Sequence, residues 1–70
     1  MEKDKLLEQR RQTANLNIIN ALTHIVNEHP ELRFTQILTI LKLDTDRFFE
    51  EPWVTLEKVY ETISQMKWKN

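Results

Sequence analysis

Apolar residues recur along this chain at three- and four-residue steps, and two prolines interrupt them. Between residues 29 and 43, Leu32, Phe34, Ile37, Leu38, Ile40, Leu41 and Leu43 crowd into HPELRFTQILTILKL, the most apolar segment of the sequence. The spacing Phe34, Ile37, Leu38, Leu41 is helical rather than alternating, which outweighs the sheet preference of Ile, Phe and Thr. The pattern predicts a helix from about Glu31 or Arg33 to Lys42. It is apolar round most of its circumference, so it is expected to be covered on more than one side, with Leu38 in the core.

The flanking segments supply the cover. In residues 13–28, Ala14, Ile18, Ala21 and Ile25 form one row on a helix, and Ile19, Leu22 and Val26 form a second row beside it. Leu7 continues the first row backwards, with Arg11 interrupting it. Pro30 disfavours helical geometry at His29, so this helix is expected to stop near Glu28. Residues 1–12 alternate in charge and have only Leu6 and Leu7 as apolar anchors. They are expected to form a partly frayed lead, helical from near Lys5 or later, ahead of a single three-helix domain over 13–70.

Residues 43–52, LDTDRFFEEP, form a connector in which Asp44, Thr45 and Asp46 are turn and cap types. Phe48 and Phe49 stand where a loop is normally polar. At least one is expected to plug the core, leaving the other as an exposed contact aromatic. Pro52 suits the first position of a third helix, with Glu50 and Glu51 at its N-terminal end. Trp53, Leu56, Val59, Tyr60, Ile63 and Met66 follow at helical steps. Lys67 and Lys69 fall near its C-terminal end, and Trp68 lies beyond the clear pattern.

The pattern therefore predicts an all-α, compact three-helix domain. Seventy residues without cysteine bury little and have no disulfide to help them. Oligomerisation is the remaining staple. Either both rows of the first helix wrap the small core, or one packs inside and the other meets a second chain in a homodimer. The chain lacks glycine, so turns needing positive φ are expected to be absent or to rest on Asn and Asp. The apolar runs are too short to span a bilayer, and the charged N-terminus lacks a signal core; a cytoplasmic protein is expected.

Chemistry is sparse. His24 and Glu28 share a helix face with His29 nearby, but the spacing is not that of helical zinc sites, and no metal or cofactor is expected. Asp44, Asp46 and Glu50 lack the glycine and the closing glutamate of a calcium loop. Ser64 has no adjacent base, and Glu50 with Glu51 suggests no cleft, so an enzyme is not expected. Charge is more informative. Asp44, Asp46, Glu50, Glu51, Glu57 and Glu61 are opposed only by Arg47 and Lys58, a local −4 in a chain of net charge −1. Such a row either keeps a helix face solvated or attracts a basic partner. A helix-turn-helix DNA-binding regulator is the alternative reading. Its second helix, however, offers only Arg33, Gln36 and Lys42 and is too apolar for a major groove.

His29, Pro30, Glu31, Leu32, Arg33 and Phe34, then Gln36, Ile37 and Leu38, resemble a segment of small helical bacteriophage and prophage proteins. In those, a segment like 46–51 leads into a final helix with a pair like Thr55 and Leu56. The resemblance covers about residues 29–58, and Thr35 stands where that pattern often has glycine. It implies a phage-type interaction module, akin to early proteins that take over a host by binding and inhibiting one of its proteins. Some of those present an acidic, DNA-mimicking surface, and the histone-like protein HU is a target of such inhibitors. The partner-binding residues expected on this reading are Asp44, Asp46, Phe48, Phe49, Glu50, Glu51, Glu57 and Glu61, facing a basic host bacterial protein.

Overall fold

Three helices follow one another in the computed structural model, which describes residues 2–66: α1 (Glu2–Glu28), α2 (Phe34–Ile40) and α3 (Pro52–Met66). No strand occurs among the described residues, and the all-α three-helix fold expected from the sequence is found. Lys67, Trp68 and Lys69 lie outside the described residues.

The first helix is continuous from Glu2, where the charge alternation had suggested a start near Lys5. Its early turns do not depend on Leu6 and Leu7 alone. The Arg10 guanidinium lies 3.7 Å from the centre of the Trp53 ring, and Arg11 pairs with Glu51. An exposed cation–π contact of this kind contributes about 0.5–1 kcal/mol. At its other end α1 stops at Glu28 as Pro30 requires; the His29 N–H still donates to the Ile25 carbonyl at 2.9 Å.

These contacts also set the topology. The start of α3 lies beside Arg10 and Arg11, while Val59, Ile63 and Met66 pack with Ala21 and Ile25 further along α1. The two long helices therefore run parallel, and α2 with its flanking loops carries the chain back. Because α1 begins two turns before α3 does, the molecule is drawn out to 47 × 21 × 19 Å.

The second helix is shorter than its apolar run. Its N-terminus is closed from one side: the Gln36 side-chain oxygen accepts the Arg33 N–H at 2.8 Å. Arg33 has no acceptor with which to complete a reciprocal capping box. At the C-terminal end the Leu43 N–H donates to the Leu38 carbonyl at 2.8 Å, and the Lys42 N–H to that of Thr39 at 3.0 Å. This paired closure is a Schellman motif, which needs a left-handed residue after the cap. Lys42 fills that place with φ 59°. In a chain without glycine the positive-φ position thus falls on a lysine, not on the Asn or Asp anticipated.

The core is small. Ala14, Ala21, Ile25, Ile37, Leu41 and Val59 are its buried apolar side chains. Leu22, Leu32, Leu43, Ile63 and Met66 close over the cluster that Ala21, Ile25, Ile37, Leu41 and Val59 form. The expectation that the second helix is covered on more than one side is not met. Ile37 and Leu41 face inwards and Leu38 is half-buried, but Phe34 and Ile40 are exposed. About two turns of helix contact the core along one edge only, and the long helices α1 and α3 take the central role.

Two outcomes follow from this packing. Leu41→Ala should cost about 2–4 kcal/mol in urea unfolding, since it removes a fully buried side chain, whereas Phe34→Ala should stay within about 0.5 kcal/mol. Lys42→Gly should raise stability by about 1 kcal/mol, with the midpoint moving and the denaturant slope unchanged, because a left-handed residue with a Cβ is strained.

Candidate interaction surface

The connector between α2 and α3 is a built structure. Its centre is a β-turn over Arg47, Phe48, Phe49 and Glu50, closed by the Glu50 N–H donating to the Arg47 carbonyl at 3.0 Å. Neither phenylalanine has positive φ, as a type I turn requires. Asp46 stabilises the entry: its carboxylate accepts the Phe48 N–H at 3.1 Å, an Asx-turn.

Arg47 and Glu50 hold the turn to the helices on either side. The Arg47 Nε donates to the Lys42 carbonyl at 2.9 Å, at the left-handed corner after α2, and Thr45 Oγ1 donates to the same oxygen at 3.2 Å. The Arg47 Nη1 donates to both oxygens of Glu50, at 2.8 and 3.0 Å. Glu50 also accepts from Thr55 Oγ1 at 2.6 Å and from Lys58 Nζ at 2.7 Å, both on α3. The hydrogen bond from Lys58, then that from Thr55, and with them Arg47, hold the Glu50 carboxyl down to about 2. Next along the chain, Glu51 receives a two-pronged contact from Arg11, Nε to Oε1 at 2.9 Å and Nη2 to Oε2 at 3.0 Å. That hydrogen bond lowers the Glu51 pKa and raises that of Arg11.

At the two central positions of this turn stand Phe48 and Phe49, 85% and 93% exposed. Their rings meet edge to face, 4.9 Å between centres at 77°. The expectation that one of them plugs the core is therefore wrong. The central side chains of a β-turn closed by Arg47 and Glu50 point away from the protein, and Leu41, Leu43 and Val59 fill the core without them.

The eight expected contact residues thus separate by role. Phe48 and Phe49 form one exposed aromatic pair. Asp44, Glu57 and Glu61 are exposed carboxylates without an ion-pair partner among the described residues. Asp46 shapes the turn, and Glu50 and Glu51 are internally balanced, so the acidic row offers less free charge than its sequence suggests. Sequence reasoning passed over Arg47, Thr55 and Lys58 as a cluster. It did contain a clue to Glu51, because Arg11 interrupts an apolar row and a cation there needs an anion nearby.

The other candidate chemistry does not converge. His24 lies 3.8 Å from Glu28, and His29 turns instead to Glu31 at 3.3 Å. No group of three potential metal-binding side chains occurs among the described residues. None of the described helices is long and apolar enough to cross a membrane. On α2, Gln36 is committed to the helix cap, and Lys42 lies beyond the helix, at the left-handed corner. Compared with known proteins, the chain matches no family model, no curated protein and no solved structure.

The sign of the Glu50 shift fixes a pH dependence. A carboxyl lowered from 4.5 to about 2 lends stability that is complete above its ordinary range and is lost as pH falls from 4.5 towards 2. The protection factor of the Glu50 amide, whose N–H closes the turn on the Arg47 carbonyl, should fall across that window before α1 unfolds. At neutral pH, Glu50→Gln should show the same loss of protection, and unchanged protection would show that the turn holds itself.

Proposed function

We propose that the chain is a protein-interaction module that docks on a bacterial host protein through the connector, with Phe48 and Phe49 as the anchor. The observation behind this reading is the pair of nearly fully exposed phenylalanines on a turn fixed by Asp46, Arg47 and Glu50. Exposing two such rings costs solvation free energy that burial in a partner pocket recovers. Fixing them beforehand lowers the ordering cost of binding. Aromatic side chains that fill a desolvated pocket carry a large share of binding energy at interfaces.

Asp44, Glu57 and Glu61 add exposed negative charge, which favours a basic partner and speeds encounter at low salt. A DNA-mimicking inhibitor of a basic protein such as HU is a narrower form of the same reading. It draws on these three carboxylates, since Glu50 and Glu51 are engaged within the fold. Inhibition of the host protein is what the phage resemblance adds.

The test compares the parent chain with a Phe48→Ser/Phe49→Ser variant. Both should have the same helical circular dichroism, because neither ring contributes to the core. A protein captured from bacterial lysate by the parent should bind the variant at least thirtyfold more weakly by calorimetry, a loss of about 2 kcal/mol or more. A Glu57→Lys/Glu61→Lys variant should mainly lower the association rate and its salt dependence. Equal affinity of the parent and the serine variant would remove the aromatic anchor from the reading.

A further inference from the structure

A second surface stands apart from the connector. In α1, Leu16, Ile19 and Val26 are 54%, 55% and 43% exposed. With Thr23 they form a stripe at residues 16, 19, 23 and 26, the alternating three- and four-residue spacing of a helix–helix seam. At 100° per residue the stripe lies about 160° round α1 from the buried Ala14, Ala21 and Ile25, so neither α2 nor α3 covers it. The second apolar row read from the sequence is therefore divided: Leu22 turns to the core, and Ile19 and Val26 join Leu16 outside.

Three features of this stripe select its occupant. First, residues 12–27 contain no Asp, Glu, Lys or Arg, in a chain that is 30% charged. The stripe is flanked by exposed Gln12, Asn15, Asn20 and Asn27. Amides are donors and acceptors at once, so this rim is complementary to a copy of itself, and it carries no charge to attract an oppositely charged surface. Second, the Thr23 hydroxyl already donates to the Ile19 carbonyl at 2.9 Å, so burying Thr23 in a seam strands no polar group. Third, the core has few buried side chains, and small domains of this kind commonly gain burial from a second copy.

We propose that α1 pairs antiparallel with α1 of a second copy of this chain. Pairing centred near residue 21 sets Leu16 against Val26 and Ile19 against Thr23, burying the stripe in a closed two-fold contact. A parallel pair is disfavoured by Lys5, which lies seven residues before Gln12 in the same line as Ile19 and Val26. In register, it would meet its own copy. Antiparallel pairing carries Lys5 and Glu8 beyond the end of the partner's α1, and it opposes the helix dipoles favourably.

Sedimentation equilibrium of the full chain from about 1 to about 500 µM should show the mass rising from 8.5 kDa to twice that value. Leu16→Gln/Ile19→Gln should hold it at 8.5 kDa with unchanged helicity. Phe48→Ser/Phe49→Ser should dimerise as the parent does, which keeps this surface distinct from the connector. The chain has no cysteine, so introduced ones report cleanly. On oxidation, a mixture of Ile19→Cys and Thr23→Cys should cross-link to each other faster than either does to itself. This arm also decides the matter if the glutamine variant fails to fold. A parent that stays at 8.5 kDa throughout, a dimer that survives Leu16→Gln/Ile19→Gln, or Thr23→Cys cross-linking fastest to itself would each overturn the proposal.

Discussion

Because α1 and α3 run in the same direction, the chain must return along their length before α3 can begin. The segment that makes this return buries Ile37 and Leu41 in the core, but the connector that follows them has little apolar cover of its own. It is held by directional contacts instead: the left-handed corner at Lys42, the Arg47 guanidinium against that corner's carbonyl, and the Glu50 carboxylate that Arg47 shares with Thr55 and Lys58. Glu50 meets the requirement well, since its two oxygens receive three different donors at 2.6–3.0 Å. The burial of Val59 against Ala21 and Ile25 sets α3 beside α1, and the exposed pair of Arg11 and Glu51 joins the two helices where α3 starts.

This arrangement changes what the charges mean. Read as a line, residues 44–61 are an acidic tract. Folded, two of the six carboxylates are spent within the protein, one on the connector and one on the contact between the long helices. A third, Asp46, accepts a backbone N–H. The exposed turn is left with aromatic rather than ionic character, and the remaining carboxylates surround it as a source of long-range field more than of contact.

Much of the architecture was legible in the sequence because it depends on local rules. Pro30 ended α1 and Pro52 opened α3 where fixed φ and a missing N–H place them. The row Ala14, Ile18, Ala21, Ile25 identified the inner face of α1. Three features were not legible, each for a physical reason. The length of α2 was set by its closing motif, and without glycine nothing marked Lys42 as left-handed. One of Phe48 and Phe49 was expected inside, but apolar residues are not confined to interiors, and a turn's central positions point outwards whatever fills them. The cluster round Glu50 joins residues whose nearness exists only once the turn has formed. Of the candidate site, both phenylalanines and all six carboxylates were named in advance, without the division into exposed and engaged groups; the cluster that holds them in place was not.

The parallel pairing of α1 with α3 also bears on how the protein is made. The contact between Arg11 and Glu51 joins residues 40 positions apart. A helical hairpin would bury its first helix against the next one as soon as both exist. Here most of the inner face of α1 waits for α3, so the loop between them must close before the main packing energy is gained. During synthesis the part of that face beyond the reach of Ile37 and Leu41 stays bare until residues 52–66 have followed, and the outer surface of residues 12–27 meets water in that interval with amides rather than charges.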